Sequence, residues 1–102
     1  MAAYLDHAAS TPLRPEAREA MLPFLDGLHG NPSGSHRWAR AARRALDDAR
    51  DAVAEALGAR PGEVVFTSGG TEADHLALVG VGAARPGAPV CSAVEHAAVL
   101  RP

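Results

Sequence analysis

The chain has 102 residues, of which 47% are hydrophobic and 22% charged, and its net charge is −2. This length permits one ordinary domain at most, and the composition is typical of a soluble globular protein rather than a disordered or fibrous one. Nucleic acid and anionic membranes require a concentrated basic surface, which so small a net charge does not suggest, so we expect neither as a partner.

The sequence carries no signal for a membrane or an export route. Its apolar runs are too short to span a bilayer, and Asp6 stands where a secretory signal would be basic or apolar, so we expect a cytoplasmic protein. The single cysteine, Cys91, cannot form an internal disulfide and is predicted to be buried in a strand. The five histidines match no ligand spacing, which predicts no metal site.

Two helices are predicted in the first half of the chain. The first covers about 15–28, with Pro15 suited to its first turn and Pro23 expected to kink or split it. The second covers about 36–57, where apolar residues recur at helical spacing. Gly58 is the predicted stop of this long helix.

A strand, a helix and a second strand are predicted in the second half. The apolar, β-branched segments 63–67 and 89–94 are predicted as buried strands, with a helix over about 71–81 between them. Two such strands joined by a helix imply a parallel pair with a right-handed crossover, and the predicted fold class is therefore α/β. A further helix is expected to open at Glu95 and His96.

The segment between the first strand and its helix has the chemistry of an anion site. Gly69 and Gly70 would bring backbone N–H groups close to a ligand, and Thr71 would add a hydroxyl in the first turn of the helix. Such a site suits a phosphate. The alternative, left open by this motif alone, is a tight turn with Ser68 or Thr71 as the N-cap of the helix.

His96 is the second candidate for a functional role. Ligands of α/β proteins bind beyond the carboxyl ends of the strands, so His96 is expected at the same sheet edge as Gly70 and Thr71. An imidazole at that edge could stack on a flat ring or move protons. The alternative is a histidine that only caps a helix or faces solvent.

Four motifs in order along the chain are similar to those of a known family: Tyr-Leu-Asp-His-Ala-Ala-Ser-Thr-Pro (4–12), Gly-Asn-Pro-Ser-Gly-Ser-His (30–36), Phe-Thr-Ser-Gly-Gly-Thr-Glu-Ala-Asp (66–74) and Glu-His-Ala-Ala-Val-Leu (95–100). Together they resemble the cysteine desulfurases, within the class V aminotransferase-like group. The resemblance implies a partial fragment of the aspartate aminotransferase-type fold, which works as a homodimer with pyridoxal 5′-phosphate. Residues 1–14 would be an N-terminal segment, and 15–102 the first part of the large cofactor-binding domain.

The resemblance also implies roles for three residues. Gly70 and Thr71 would hold the cofactor phosphate, and His96 would stack on the pyridine ring as a candidate catalytic proton shuttle. Such an enzyme releases L-alanine from L-cysteine and passes the sulfur, through an enzyme persulfide, to an acceptor or scaffold protein for iron–sulfur cluster or thio-cofactor assembly. The lysine, aspartate, arginine and cysteine that complete the family's site are expected further along the family's chain, and Cys91 is not that cysteine.

Two alternatives to a desulfurase fragment stay open at this point. One is a truncated, non-catalytic module that at most binds phosphate or a partner chain. The other is a fragment of a related class V aminotransferase or selenocysteine lyase, although the loop 30–33 favours a desulfurase. This chain has no lysine, so we expect it to be inactive alone.

Overall fold

A computed structural model describes residues 2–85 and 87–101. Over these residues the chain forms four α-helices and one 3₁₀ helix: α1 (Pro15–Asp26), α2 (Arg37–Leu57), the 3₁₀ helix (Pro61–Glu63), α3 (Gly70–Ala84) and α4 (Ala97–Leu100). The chain divides into two compact units, Met1–Glu63 and Val64–Pro102. Within the described ranges, none of the helices is long and apolar enough to cross a membrane.

The first unit contains α1, which begins where it was predicted and ends two residues early. Pro15 is its first residue, where the fixed φ angle favours a helix and the missing N–H costs nothing. The helix continues through Pro23 as one element, so it is not split there. It ends at Gly27, whose N–H donates to the carbonyl of Pro23.

The long helix α2 confirms its prediction almost residue for residue. His36 is the N-cap, and its Nδ1 accepts a hydrogen bond from the Ala39 N–H over 3.2 Å. Gly58 ends the helix with φ 65°, a left-handed conformation that favours glycine, and its N–H donates to the carbonyl of Ala54. The cap at His36 and the stop at Gly58 are both local signals, since each depends on residues within about one turn of its helix end.

Gly58→Ala is expected to fray the last turn of α2, because a Cβ disfavours the left-handed conformation by about 1 kcal/mol. The measurement is the Cα chemical shifts of residues 54–57, which should move toward random-coil values. Gly62→Ala is the matched control, since the φ of Gly62 lies outside the left-handed region and a Cβ there meets nothing within 4 Å. Equal shifts in the two variants would contradict the role assigned to Gly58.

The second unit contradicts the predicted α/β fold. None of the described residues lies in a strand, and the segments 64–67 and 88–92 are irregular. Val65 is 65% exposed and Val90 is 97% exposed, although both were predicted in buried strands. The partial α/β fold with at least two parallel strands is therefore wrong for this structure, in which helices are the only regular elements among the described residues.

The physical reason lies in what a strand needs from its surroundings. A strand is stable only when neighbouring strands take its backbone N–H and C=O groups, whereas a helix satisfies most of its own. The side chains of 63–67 and 89–94 have the composition of strands, but composition supplies no ladder partner. Cys91 is accordingly exposed rather than buried, and it lines an apolar cavity of about 160 Å³ between α3 and α4.

Buried residues in the described part of the chain are few and small. The buried hydrophobic residues are Ala39, Ala54 and Ala98. Alanine removes little apolar area from water, so each contributes little burial free energy. The structure of the described residues therefore depends mainly on local interactions within the helices and at their caps, and little on a buried core.

Candidate phosphate and ring site

The amino terminus of α3 presents backbone N–H groups that the helix itself does not use. The N-cap is Gly69, which has no side chain to cap the helix, and its carbonyl accepts from the Ala73 N–H over 3.1 Å. The amides of Gly70, Thr71 and Glu72 precede that first intrahelical hydrogen bond. These three N–H groups and the helix dipole together favour an anion.

The glycine pair leaves open space beside these amides. A Cβ placed on Gly69 or Gly70 would meet nothing within 4 Å. The φ of Gly69 is 166°, which is extended backbone that any residue adopts. Neither packing nor backbone conformation within the described chain therefore requires glycine here. The open space and the donors fit a phosphate group, which would approach where a side chain would otherwise stand.

Thr71 lies in the first turn of α3 and is exposed, so its hydroxyl is available to a ligand. The alternative in which Ser68 or Thr71 caps the helix is wrong, because Gly69 is the N-cap and no side chain bonds as a cap.

Glu72 holds the loop that leads into α3. Its Oε2 accepts hydrogen bonds from the Ser68 hydroxyl and from the Ser68 N–H, each over 2.6 Å. Both bonds lower the pKa of Glu72 below its ordinary value, and the bond from the Ser68 hydroxyl has the larger effect. The two hydrogen bonds therefore stabilise the folded chain through the ionised form of Glu72. This stabilisation is fully present at a pH above the ordinary pKa of glutamate, and it is lost as the pH falls through the lower pKa of the folded state.

Glu72 was not predicted from the sequence as part of the site, although a signal was present. It is the third residue of α3, and a glutamate at this position reaches back to an N–H before the helix in the capping box. Here it reaches Ser68, one residue before the N-cap, rather than the N-cap itself. The hydroxyl and carboxylate residues that flank the glycine pair in the sequence are the signal that points to this contact.

His96 is the N-cap of α4. Its Nδ1 accepts a hydrogen bond from the Ala98 N–H over 3.1 Å, which puts the proton of the neutral ring on Nε2. The residue is exposed, and no hydrogen bond at Nε2 is seen among the described residues. The capping alternative is therefore observed, and it uses one edge of the ring only.

The structure places all three predicted site residues in the unit Val64–Pro102. Gly70 and Thr71 open α3, His96 opens α4, and these two helices contact each other. Among the described residues, no hydrogen bond or ring contact joins His96 to Gly70 or Thr71. The described residues also include no group of three or more potential metal ligands.

Comparison with known proteins decides the family. The family model described as aminotransferase class-V matches residues 3–102. The chain belongs to the class-V aminotransferase family. It is 49% identical over 102 residues to the cysteine desulfurase IscS of Dictyoglomus turgidum. It is also 50% identical over 104 residues to the IscS-like cysteine desulfurase of Mycobacterium tuberculosis. A third relative, named cysteine desulfurase, from Cereibacter sphaeroides, is 55% identical over 100 residues.

These alignments cover almost all of this class-V chain but only part of each relative. They include 97%, 96% and 95% of this chain, respectively, and 26% of each of the three relatives. The chain therefore spans about a quarter of the length of the curated relatives it matches. No solved structure matches it.

Proposed function

We propose that this chain forms part of a pyridoxal-phosphate-dependent cysteine desulfurase, which converts L-cysteine to L-alanine and carries the released sulfur as an enzyme persulfide. Membership of the class-V family and relatives named cysteine desulfurase support this proposal. The structural observation that carries it is the set of unused amides at the start of α3, which faces open space at Gly69 and Gly70.

In this proposal Gly70 and Thr71 bind the cofactor phosphate. Their backbone N–H groups donate to the phosphate oxygens, and the Thr71 hydroxyl adds a third donor. The positive end of the α3 dipole stabilises the negative charge. When bound, pyridoxal phosphate supplies an electron sink for bond cleavage at the amino acid. The contribution of these residues is to fix where that ring lies.

His96 is proposed to contact the cofactor ring. Its Nδ1 is held by the Ala98 N–H, which limits rotation of the imidazole and fixes the tautomer. The exposed imidazole can then stack on a pyridine, and Nε2 can hold or donate a proton. Capping and ring contact are compatible, because they use different parts of the same side chain.

The proposal extends to partners and location. The complete enzyme would be a cytoplasmic homodimer that passes sulfur to an acceptor or scaffold protein for iron–sulfur cluster or thio-cofactor assembly. Relatives named IscS support this assignment. The direct test is alanine and sulfide formation from L-cysteine by the complete protein reconstituted with pyridoxal phosphate; absence of both products would overturn the assignment.

His96→Ala in the complete enzyme is expected to change the visible spectrum of the bound cofactor and to lower turnover by about 10²-fold or more. The reason is loss of both the ring contact and the proton at Nε2. His96→Asn is the matched control for capping, since an asparagine oxygen can accept the Ala98 N–H while offering no ring. We expect the asparagine variant to keep the helix and to show the same spectral and kinetic defects. If it instead behaves as wild type, His96 serves only as a cap.

A further inference from the structure

We infer that Glu72 is a positioning residue that holds the phosphate cradle in its binding conformation. The phosphate cradle is defined here as the amides of Gly70 and Thr71 and the hydroxyl of Thr71. The inference rests on the proposed function, because it concerns the same site.

The geometry that supports this role is a set of hydrogen bonds just before the cradle. The Glu72 carboxylate binds both donors of Ser68, each over 2.6 Å. The next residue, Gly69, is held through its carbonyl, which accepts from the Thr67 hydroxyl over 3.1 Å and from the Ala73 N–H over 3.1 Å. Both residues that precede the cradle are therefore anchored to α3 or to their neighbours.

An anchor is needed here because of the glycine pair. Gly69 and Gly70 have no side chains, and glycine loses more conformational freedom on ordering than any other residue. A phosphate that bound a loose loop would have to order it, and its affinity would fall accordingly. With Ser68 fixed by Glu72, that ordering has already taken place before the ligand arrives.

The carboxylate also determines which donors remain for the ligand. It occupies the N–H and the hydroxyl of Ser68, so these two donors are not available to the ligand, whereas the donors of the cradle are. Its negative charge, in contrast, opposes an incoming phosphate. The favourable part of its role is therefore the hydrogen-bond acceptor and not the charge, and the two can be separated by substitution.

The test uses the chain of 102 residues and the ligand 4′-deoxypyridoxine 5′-phosphate, which has the phosphate but no aldehyde. Binding is followed by the NMR shifts of the Gly70 and Thr71 amides, and hydrogen exchange of the Ser68 amide reports the anchor. Glu72→Ala should raise the dissociation constant about tenfold and abolish Ser68 protection. Glu72→Gln keeps an acceptor oxygen without the charge, so it should retain protection and bind at least as tightly as wild type.

Two control variants make the experiment specific. Glu16→Ala removes a carboxylate from the first turn of α1, where it pairs with Arg14 over 3.5 Å, and it should leave the dissociation constant unchanged. Ser68→Ala removes only the hydroxyl half of the anchor and should weaken binding about threefold. Circular dichroism at 222 nm checks the helices of each variant. If Glu72→Ala unfolds α3, the dissociation constants of Ser68→Ala and Glu72→Gln test the positioning role instead. Weaker binding by Ser68→Ala than by Glu72→Gln supports that role, and equal binding by the two variants contradicts it.

The outcomes separate this inference from the proposed function. Unchanged affinity in Glu72→Ala, with Ser68 protection lost, would overturn the positioning role and leave Glu72 a residue that only stabilises the helix end. If the wild-type amides of Gly70 and Thr71 do not respond to the ligand, the cradle itself is wrong and the inference fails with it. Weaker binding by Glu72→Ala and Ser68→Ala, with Glu72→Gln intact, would support both.

Discussion

In the complete enzyme proposed above, Gly70→Val together with Thr71→Val is expected to weaken the binding of pyridoxal phosphate by about 2–4 kcal/mol. The valine at position 70 puts a branched side chain into space that is open in this structure, where the phosphate is proposed to lie. The valine at 71 keeps the shape of threonine but loses the hydroxyl donor. The measurement is cofactor retention after dialysis, together with the dissociation constant from fluorescence titration.

Gly80→Val provides the matched control for this double substitution. Gly80 lies in the same helix and is exposed, and a Cβ added to it would meet nothing within 4 Å, so it tests the cost of a valine in α3 alone. We expect Gly80→Val to retain the cofactor. Full retention by the double variant would remove Gly70 and Thr71 from the phosphate site.

Local signals were sufficient to predict the helices from the sequence. The end of α2 follows from Gly58, whose left-handed conformation needs no partner elsewhere in the chain. The start of α1 follows from Pro15 for the same reason. In both cases the interactions that decide the structure span only a few residues, and a single sequence contains all of them.

The strands failed because their stability is not local. Val65 and Val90 have strong β preferences, yet a preference of this kind describes how a side chain fits a half-buried sheet and supplies no neighbouring strand. The segments 63–67 and 89–94 have the apolar, β-branched composition of strands. A buried strand also needs hydrogen-bond partners on neighbouring strands, and the described residues do not provide them. The prediction that Cys91 is buried was wrong for the same reason, since it depended on the strand 89–94.

At the candidate site, too, features set by local sequence signals could be predicted, and side-chain contacts could not. The position of Thr71 in the first turn of a helix was predictable, because the two glycines before it permit the tight bend that leads into the apolar helical segment. The bond between Glu72 and Ser68 depends on a side-chain rotamer and was missed. His96 was placed correctly next to a helix, whereas the structure alone shows that its Nδ1 is already committed to Ala98. For the proposed cofactor contact, Nδ1 of the ring is therefore not available.

Residues 1–102 alone, mixed with pyridoxal phosphate and L-cysteine, are expected to form no alanine or sulfide above the background of the free cofactor. Pyridoxal-phosphate enzymes hold their cofactor covalently through a lysine amine, and this chain contains no lysine. Its ten basic side chains are all arginines, which stay protonated and are not usable nucleophiles. The cradle can then offer only non-covalent contacts to the phosphate, so weak binding without turnover is the expected result.

Two parallel reactions control this assay. Cofactor and L-cysteine in buffer give the non-enzymatic rate, and the chain with the Gly70→Val and Thr71→Val substitutions shows whether any excess depends on the cradle. Weak binding should appear as shifts of the Gly70 and Thr71 amides that saturate with pyridoxal phosphate and not with pyridoxal, because the phosphate is the group that the cradle recognises. Alanine formed faster than in buffer, and lost in the double variant, would show that the chain supplies desulfurase chemistry without a lysine and would overturn the expectation.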